Sequence, residues 1–239
     1  MGGWAFLAVY FIGGLYVEMT PLYNELADRA LPFLCNDAKS VDIRLSLDSA
    51  EVEKRAKLYG FSIPLAEYQL SCEMFCKAVL SFDAFVLHAS AVLSDGSVYL
   101  FSAPSGVGKS THAAIWKRCF NAEIINDDKP LIRFINGTFT AYGTPWCGSG
   151  FERLNKSGKV KALFFIKRAL ENSVCRFDSE KALYLLLESM YRPADNSDMD
   201  SLITTLDAFL SKTRVLGLEC NMKDEAARLA LKTAKEIQQ

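Results

Sequence analysis

The chain has 239 residues, of which 50% are hydrophobic and 23% are charged, and its formal net charge at pH 7 is −1. This length and composition predict a globular protein with a substantial core. The lack of a basic excess argues against a nucleic-acid partner, since binding to a phosphate backbone depends on clustered Lys and Arg. The seven cysteines show no paired spacing, which is typical of reduced thiols in a cytoplasmic protein.

The first part of the chain is unusually apolar, with no charged residue over positions 2–17. A signal peptide would carry Lys or Arg before its apolar core, and none is present. Gly13 and Gly14 interrupt the run before it reaches the roughly 20 residues of a membrane span. We therefore expect a pair of strands, the firmer one over 12–19, and no membrane partner. The alternatives are a poorly ordered extension over about the first eight residues and membrane attachment through residues 1–17.

Hydrophobic periodicity then alternates between the helical and the strand period. The predicted elements before residue 103 are a helix over 21–33 capped by Thr20, a strand over 41–47, a helix or loop over 50–57, a helix over 68–82, a strand over 85–92, a turn over 94–97 and a strand over 97–102. Cys72 and Cys76 stand four residues apart on one helix face, where core packing is a better interpretation than a metal site.

A phosphate-binding loop is predicted at residues 103–111, between the strand over 97–102 and a helix over 111–120. Its glycines let backbone amides surround phosphates, Lys109 adds a positive charge, and the Ser110 hydroxyl is a ligand for Mg²⁺. The helix that follows directs its positive end at the same phosphates. The predicted nucleotide-binding residues are Ala103, Pro104, Ser105, Gly106, Val107, Gly108, Lys109, Ser110 and Thr111.

Two adjacent carboxylates, Asp127 and Asp128, follow the strand predicted over 122–125. In phosphoryl transfer, one carboxylate is needed near the metal and another accepts the proton of an attacking hydroxyl. The alternative is a solvent-exposed turn. His88 is either a core residue of its apolar strand or a group that positions an aspartate beside the phosphate loop. His112 is interpreted as structural or solvent-facing.

A glycine-rich loop over 142–152 is predicted either to contact substrate or to be a surface turn with a buried Trp anchor. Arg192 is predicted to steady a transferring phosphate or to cap a helix end. The candidate substrate residues are Trp146, Cys147, Glu152, Arg153 and Arg192. The elements predicted after residue 128 are a hairpin over 131–135 and 138–142, strands over 160–166 and 214–220, and helices over 180–190, 200–212 and 224–237.

The order of strand with His88, phosphate loop and Ile124–Asp128 resembles the catalytic core of HPr kinase/phosphorylase, well over 85–150 and loosely elsewhere. Residues 143–146 and 218–227 are more similar to shorter HPr-kinase-like proteins, some of which are linked to tailoring of ribosomally made peptides. The resemblance implies an α/β, mixed-sheet, phosphoenolpyruvate carboxykinase-like nucleotide-binding fold with flanking helices. It implies a single domain over 1–239, in which residues 1–84 pack on a catalytic core over 85–239.

The resemblance also implies roles for the site residues and an activity. Lys109 would hold the β- and γ-phosphates of ATP, and Ser110 would bind Mg²⁺ with Asp128 nearby. Asp127 would be the base for a substrate hydroxyl, steadied by His88. The expected function is an ATP-dependent kinase that acts on a serine or other hydroxyl of a peptide, protein or small-molecule acceptor. A homo-oligomer is also possible on this resemblance.

Two other functions remain open from the sequence. A Glu-x-Arg-Gly stretch follows the Asp-Asp strand in HPr kinase, and Glu152 and Arg153 are its nearest counterparts here. The missing stretch favours a nucleotide-binding regulatory module with little catalytic activity. A carboxykinase-like enzyme acting on a small carboxylic acid would need several further arginines and a metal-binding His or Lys near the site.

Overall fold

The structure is a computed structural model that describes residues 8–148, 150 and 152–236, and the description below refers to these residues. The strands are β1 Ala8–Ile12, β2 Leu15–Met19, β3 Ile43–Leu45, β4 Ala84–Val86, β5 Ala89–Ser94, β6 Ser97–Ser102, β7 Glu123–Asp128, β8 Leu131–Ile135, β9 Thr138–Tyr142, β10 Ser157–Arg168, β11 Ser173–Arg176 and β12 Arg214–Cys220. The α-helices are α1 Asn24–Ala30, α2 Ser49–Tyr59, α3 Ile63–Ala78, α4 Lys109–Phe120, α5 Ser179–Glu188, α6 Asn196–Lys212 and α7 Asp224–Glu236.

A large mixed sheet forms the centre of the molecule, with the strand order β4-β8-β9-β10-β6-β5-β7. The long strand β10 pairs with β9 at its start and runs parallel to β6 and to β12 over the rest of its length. β12 in turn carries β11 as an antiparallel neighbour. The α/β class with a mixed sheet agrees with the prediction from the sequence.

Helices cover both faces of this sheet because β10 is apolar on both sides. Phe164 and Phe165 are adjacent on β10, so their side chains project to opposite faces. Phe164 packs in a cluster with Trp116 of α4 and with the alanine-rich face of α7. Phe165 packs in a second cluster with Leu186 of α5 and residues of α6. Because both faces of such a strand are buried, its sequence is a continuous run of apolar residues and does not alternate between apolar and polar ones.

The N-terminal segment forms a small sheet in the order β1-β2-β3. Gly13 and Gly14 make the turn between β1 and β2 with φ values of +63° and +76°, a conformation that glycine adopts without strain. The predicted strand pair is therefore confirmed, although the second strand begins at Leu15 rather than at residue 12. Residues 1–7, which the alternative of a poorly ordered extension concerns, lie outside the described residues.

The largest buried cluster of residues 1–84 continues into the larger part of the chain, whereas a small cluster between α2 and α3 is formed by this segment alone. Side chains of β1, β2, α1 and α3 share one buried cluster with Val86, Leu131 and Trp146 of the larger part. Among the described residues, no helix is long and apolar enough to cross a membrane.

The first helix begins later than predicted. α1 starts at Asn24, and its N-cap residue is Tyr23 rather than Thr20. The backbone amides of Leu22 and Tyr23 instead donate to the buried carboxylate of Glu67 on α3. Glu67, more than forty residues further along the chain, therefore accepts the hydrogen bonds that a capping side chain at Thr20 was predicted to accept.

The strand predicted over 85–92 is two strands. β4 pairs with β8, whereas β5 pairs with β6 and β7, and the chain changes neighbours at Leu87 and His88. At this break the His88 amide donates to the Ser189 carbonyl at 2.7 Å, and Leu87 bridges to Met190. The strands predicted over 97–102, 131–135, 138–142 and 214–220 have the predicted bounds, and the other predicted elements are present with shifted ends. The exposed strand β11 was not predicted.

We predict that His112 makes folding pH-dependent. Its side chain is fully buried on α4, where Nε2 accepts a hydrogen bond from Trp116 Nε1 at 3.1 Å, so it is structural and not solvent-facing. Burial lowers its pKa from 6.5 to about 4. Between these values the unfolded chain binds more protons, so the free energy of unfolding should fall by about 3 kcal/mol from pH 7 to pH 4 on account of this residue.

The measurement is urea unfolding across this pH range for the parent and for His112→Gln, which keeps an acceptor for Trp116 but does not titrate. The parent should lose about 3 kcal/mol more than the variant between pH 7 and pH 4. A difference between the two proteins that does not change with pH would contradict the prediction.

Candidate functional site

The phosphate loop connects β6 directly to α4, which is the strand–loop–helix context that the motif requires. Gly106 and Gly108 have φ values of +79° and +123°, in the region that side chains disfavour. α4 begins at Lys109, so the unpaired amides of its first turn face the loop. This geometry supports anion binding at residues 103–111.

A cavity of about 370 Å³ lies over this loop. Its lining combines Ser105, Gly106, Gly108, Lys109, Ser110 and Thr111 with His88, Asp127, Asp128, Gly148 and Arg168. The fold therefore brings the predicted loop, the histidine and both aspartates together. Ala103 is buried at the end of β6, and Pro104 and Val107 lie on the outer side of the loop, where they line a neighbouring groove.

Lys109 crosses the inside of the loop. Its Nζ donates to the Ala103 carbonyl at 3.0 Å. Burial lowers the pKa of its ammonium group, and the nearby carboxylates of Asp128 and Asp127 oppose this shift. The lysine is thus placed between the loop and the aspartates, as a phosphate-binding lysine requires.

Asp128 lies between two cationic or potentially cationic groups. Its Oδ1 is 3.1 Å from His88 Nε2 and 3.3 Å from Lys129 Nζ. Burial alone would raise the pKa of this carboxyl, but the hydrogen bond from His88 and the charge of Lys129 outweigh it and leave the pKa below its usual range. The sequence interpretation paired His88 with Asp127, which is wrong in this geometry.

Asp127 has a different partner. Its Oδ1 accepts a short hydrogen bond from the Ser90 hydroxyl, and the two residues face each other in the pairing of β5 with β7. The sequence analysis missed both Ser90 and Lys129. Lys129 directly follows the aspartates, so its position in the sequence was a usable signal, whereas the role of Ser90 depends on strand pairing.

The end of β7 is shaped by the buried side chain of Asn126. Its Oδ1 accepts from the backbone amides of Asp128 and Lys129 at 2.9 and 2.7 Å, a local turn that Asn forms readily. Its Nδ2 donates to the carbonyls of Thr144 and Trp146, both at 3.1 Å. One amide therefore bends the chain so that both carboxylates line one cavity.

Trp146 and Cys147 are buried beneath the site and do not line the cavity. Trp146 is fully buried, stacks on Phe75 at 4.5 Å and donates to the Ser71 hydroxyl at 3.0 Å. Cys147 is buried, and its carbonyl accepts from Arg29 and from the Tyr68 hydroxyl. Their contact with a substrate stays a prediction, and the burial of Trp146 agrees with the alternative of a buried Trp anchor.

The other candidate substrate residues also do not line the cavity. Glu152 forms an ion pair with Lys117 at 3.0 Å, and Arg153 donates to the backbone carbonyls of Arg29 and Asp28. Arg192 is exposed and pairs with Glu188 one helical turn earlier, at 3.3 Å. None of the three lines the phosphate cavity in the described structure. Ser149 and Phe151 of the same loop lie outside the described residues.

Arg168 is a site residue that the sequence analysis missed. It stands at the end of β10, and its Nε donates to the Val107 carbonyl at 2.7 Å while the side chain lines the phosphate cavity. No local motif marks it. The parallel pairing of β10 with β6, which places Phe165 beside Ser102, brings it to the loop.

Comparisons with known proteins give a distant likeness. Neither a protein-family model nor a curated protein matches the chain. The structure of the Hpr(Ser) kinase/phosphatase from Coxiella burnetii matches with a TM-score of 0.36 and 12% sequence identity, covering 63% of this chain and 97% of that one. At this level of similarity, the residues of the site itself must carry the inference of function.

We predict that Trp146 contributes to stability. Trp146→Ala should lower the free energy of unfolding by about 3–5 kcal/mol, because it empties a fully buried position. Ser71→Ala keeps the indole in place but removes the acceptor of its N–H and the bond from the Ser71 hydroxyl to the Tyr68 carbonyl, and it should cost less, about 1–3 kcal/mol. Urea unfolding at pH 7 measures both changes, and a Trp146→Ala protein as stable as the parent would contradict the buried role.

Proposed function

We propose that the protein is an ATP-dependent phosphotransferase that transfers the γ-phosphate to a hydroxyl group. The observation that carries this proposal is a single cavity lined by a phosphate-binding loop, two aspartates and a histidine. The loop supplies a place for the phosphates of the donor, and the aspartates supply the carboxylates that phosphoryl transfer to a hydroxyl uses.

The donor half of the site is cationic and rich in backbone amides. Amides of the loop and of the first turn of α4 surround a phosphate, and the side chains of Lys109 and Arg168 line the same cavity. Both can balance the negative charge of a triphosphate, and Arg168 also holds the loop through Val107. In phosphoryl transfer this positioning and charge balance supply most of the catalysis.

The oxygen donors present also fit Mg²⁺. Ser110 and Asp127 both line the cavity, and hydroxyl and carboxylate oxygens are the ligands that Mg²⁺ prefers. Mg²⁺ at phosphates is commonly held by one or two protein oxygens together with the phosphates themselves, which matches a site with these two oxygen donors. When bound, the ion would neutralise charge on the β- and γ-phosphates.

Asp128 is the proposed base, with His88 as its positioning residue. Its lowered pKa keeps the carboxylate ionised at neutral pH, and the contact with His88 fixes its orientation. The hydroxyl oxygen forms a bond to the γ-phosphorus as the bond to the β-phosphate oxygen breaks, and the hydroxyl proton passes to Asp128. ADP and a phosphate monoester are the products. In the sequence analysis Asp127 was the expected base and Asp128 was expected near the metal, so the two roles are exchanged here.

The two aspartates should give different defects. Asp128→Asn should lower kcat by about 10²–10⁴-fold with little change in nucleotide affinity, because it removes the proton acceptor. Asp127→Asn should raise the Mg²⁺ concentration needed for half-maximal activity, because it removes a proposed ligand. Steady-state kinetics at several Mg²⁺ concentrations, with calorimetric titration of nucleotide, separates these effects. Full activity of Asp128→Asn, or nucleotide binding without transfer to any hydroxyl acceptor, would contradict the proposal.

Arg168 should contribute to nucleotide binding. Arg168→Gln should weaken ATP binding by about tenfold, since one charged hydrogen bond is worth roughly 1.5–3 kcal/mol and part of it remains with Gln. Lys167→Gln is a matched control, because Lys167 is the adjacent residue, is exposed and pairs with Glu219. Calorimetric titration of the three proteins with ATP makes the comparison. Equal affinities for the parent and Arg168→Gln would exclude a role for Arg168 at the phosphates.

A further inference from the structure

A second cavity adjoins the phosphate cavity on the other side of His88. It has a volume of about 300 Å³, and His88 lines both cavities. Lys129 lines the second cavity and, like His88, contacts Oδ1 of Asp128. His88 and Lys129 therefore separate the second cavity from the carboxylate of Asp128, the proposed base. We call the part of the cavity next to these two side chains its inner end.

The walls of the second cavity are well fixed. Gln69, Cys72, Glu73 and Cys76 line it from one face of α3, at spacings of three and four residues. The opposite wall is the segment from Glu188 to Tyr191, which is tied to the strand break through the bond from the His88 amide to the Ser189 carbonyl. The cavity is thus built between the N-terminal segment and the larger part of the molecule.

The size of the cavity fits a small molecule. Its volume of about 300 Å³ stands at the lower end of the range for small-molecule sites, which is about 300–1,000 Å³. The pKa of the Cys76 thiol is raised chiefly by its hydrogen bond with Cys72 and by burial, while Lys129 acts in the opposite direction and so lies near this thiol. From Cys76 to Gln69, α3 extends away from the inner end by about 10 Å.

The charges in the lining indicate the kind of molecule. Glu73 and Glu188 both line the cavity, and each keeps an arginine partner that does not line it, Arg55 and Arg192 respectively. Lys129 is balanced by Asp128. Each arginine contacts one oxygen of its carboxylate, Oε2 of Glu73 and Oε1 of Glu188, so the second oxygen of each can accept a hydrogen bond from an ammonium group. His88 lies between these carboxylates and the phosphate cavity, an arrangement that suits an ammonium group and a hydroxyl group in one small molecule.

We propose that this cavity binds the phosphate acceptor, and that the acceptor is a small hydroxyl-bearing amine such as an amino alcohol or a hydroxy amino acid. This rests on the proposed phosphotransferase function. The hydroxyl end of the acceptor extends past His88 into the phosphate cavity, where Asp128 takes its proton, and the ammonium group stays in the second cavity with Glu73 and Glu188. A peptide or protein that inserts a single serine side chain is the competing outcome of the test.

The first experiment measures acceptor binding without nucleotide, so that it does not depend on catalysis. Ligand-detected NMR compares ethanolamine and L-homoserine with ethylene glycol, which matches ethanolamine in size but lacks the amine. Gln69→Trp places an indole over the cavity from an exposed position of α3, and Lys54→Trp places the same indole on an exposed position of α2. The amines should bind to the parent and to Lys54→Trp, and lose about tenfold or more in affinity for Gln69→Trp.

The second experiment adds Mg-ATP and follows phosphate monoester formation by ³¹P NMR. Glu73→Gln should raise the KM for ethanolamine by about tenfold and leave the KM for ATP unchanged, because it removes one charged partner of the amine. A serine-containing peptide should not be phosphorylated in preference to the amines.

The outcomes separate this proposal from the proposed function. Amine binding to all three proteins with equal affinity, or binding of ethylene glycol as tight as that of ethanolamine, would overturn the assignment of the cavity. Preferential transfer to a peptide that Gln69→Trp does not impair would also overturn it, while leaving the phosphotransferase intact. Failure of the parent to bind ATP would instead contradict the phosphotransferase function. The NMR titrations without nucleotide would still show whether the second cavity binds small amines.

Discussion

The arrangement of the site depends on the two hydrogen-bonding ends of one buried side chain, Asn126. Its carbonyl oxygen turns the backbone at Asp128 and Lys129, and its amide nitrogen holds the carbonyls of Thr144 and Trp146. A buried amide of this kind is stable only when its donors and acceptor are all satisfied. Because the same group serves both the carboxylate turn and the supporting loop, the two cannot shift independently.

The N-terminal segment is part of this support. Arg29 of α1 donates to the Cys147 carbonyl at 2.7 Å and lies over the ring of Tyr68, whose hydroxyl donates to the same carbonyl at 3.0 Å. These contacts join α1 and α3 to the loop that Asn126 holds from the other side. The same helix α3 forms a wall of the second cavity. The segment before residue 84 thus stabilises the phosphate site and shapes the space beside it.

The parts of the site that the sequence predicted are those with a local cause. The loop over 103–111 is predictable because its glycines, lysine and hydroxyl lie within one strand–loop–helix unit. Asp127 and Asp128 are predictable because they end β7, the strand that directly follows this unit in the chain. The contact of His88 with Asp128 was not predictable from the sequence, because it depends on strand register. Ala89, the residue after His88, pairs with Ser102 of β6 on one side and with Asp128 of β7 on the other. Arg168 reaches the loop from sixty-one residues away, and Trp146 is held by α3. Contacts of this kind depend on strand register and packing, which a single sequence does not display.

The surroundings of Asp128, the proposed base, act on this carboxylate in two opposing ways. His88 and Lys129 stabilise the carboxylate and lower its pKa, which weakens its pull on a proton. In a loose transition state of phosphoryl transfer, however, bond formation to the hydroxyl oxygen is slight and strong basicity matters less than position. The same two contacts fix the carboxylate between the phosphate cavity and the second cavity. A weak base held in place therefore suits the phosphoryl transfer proposed for this site.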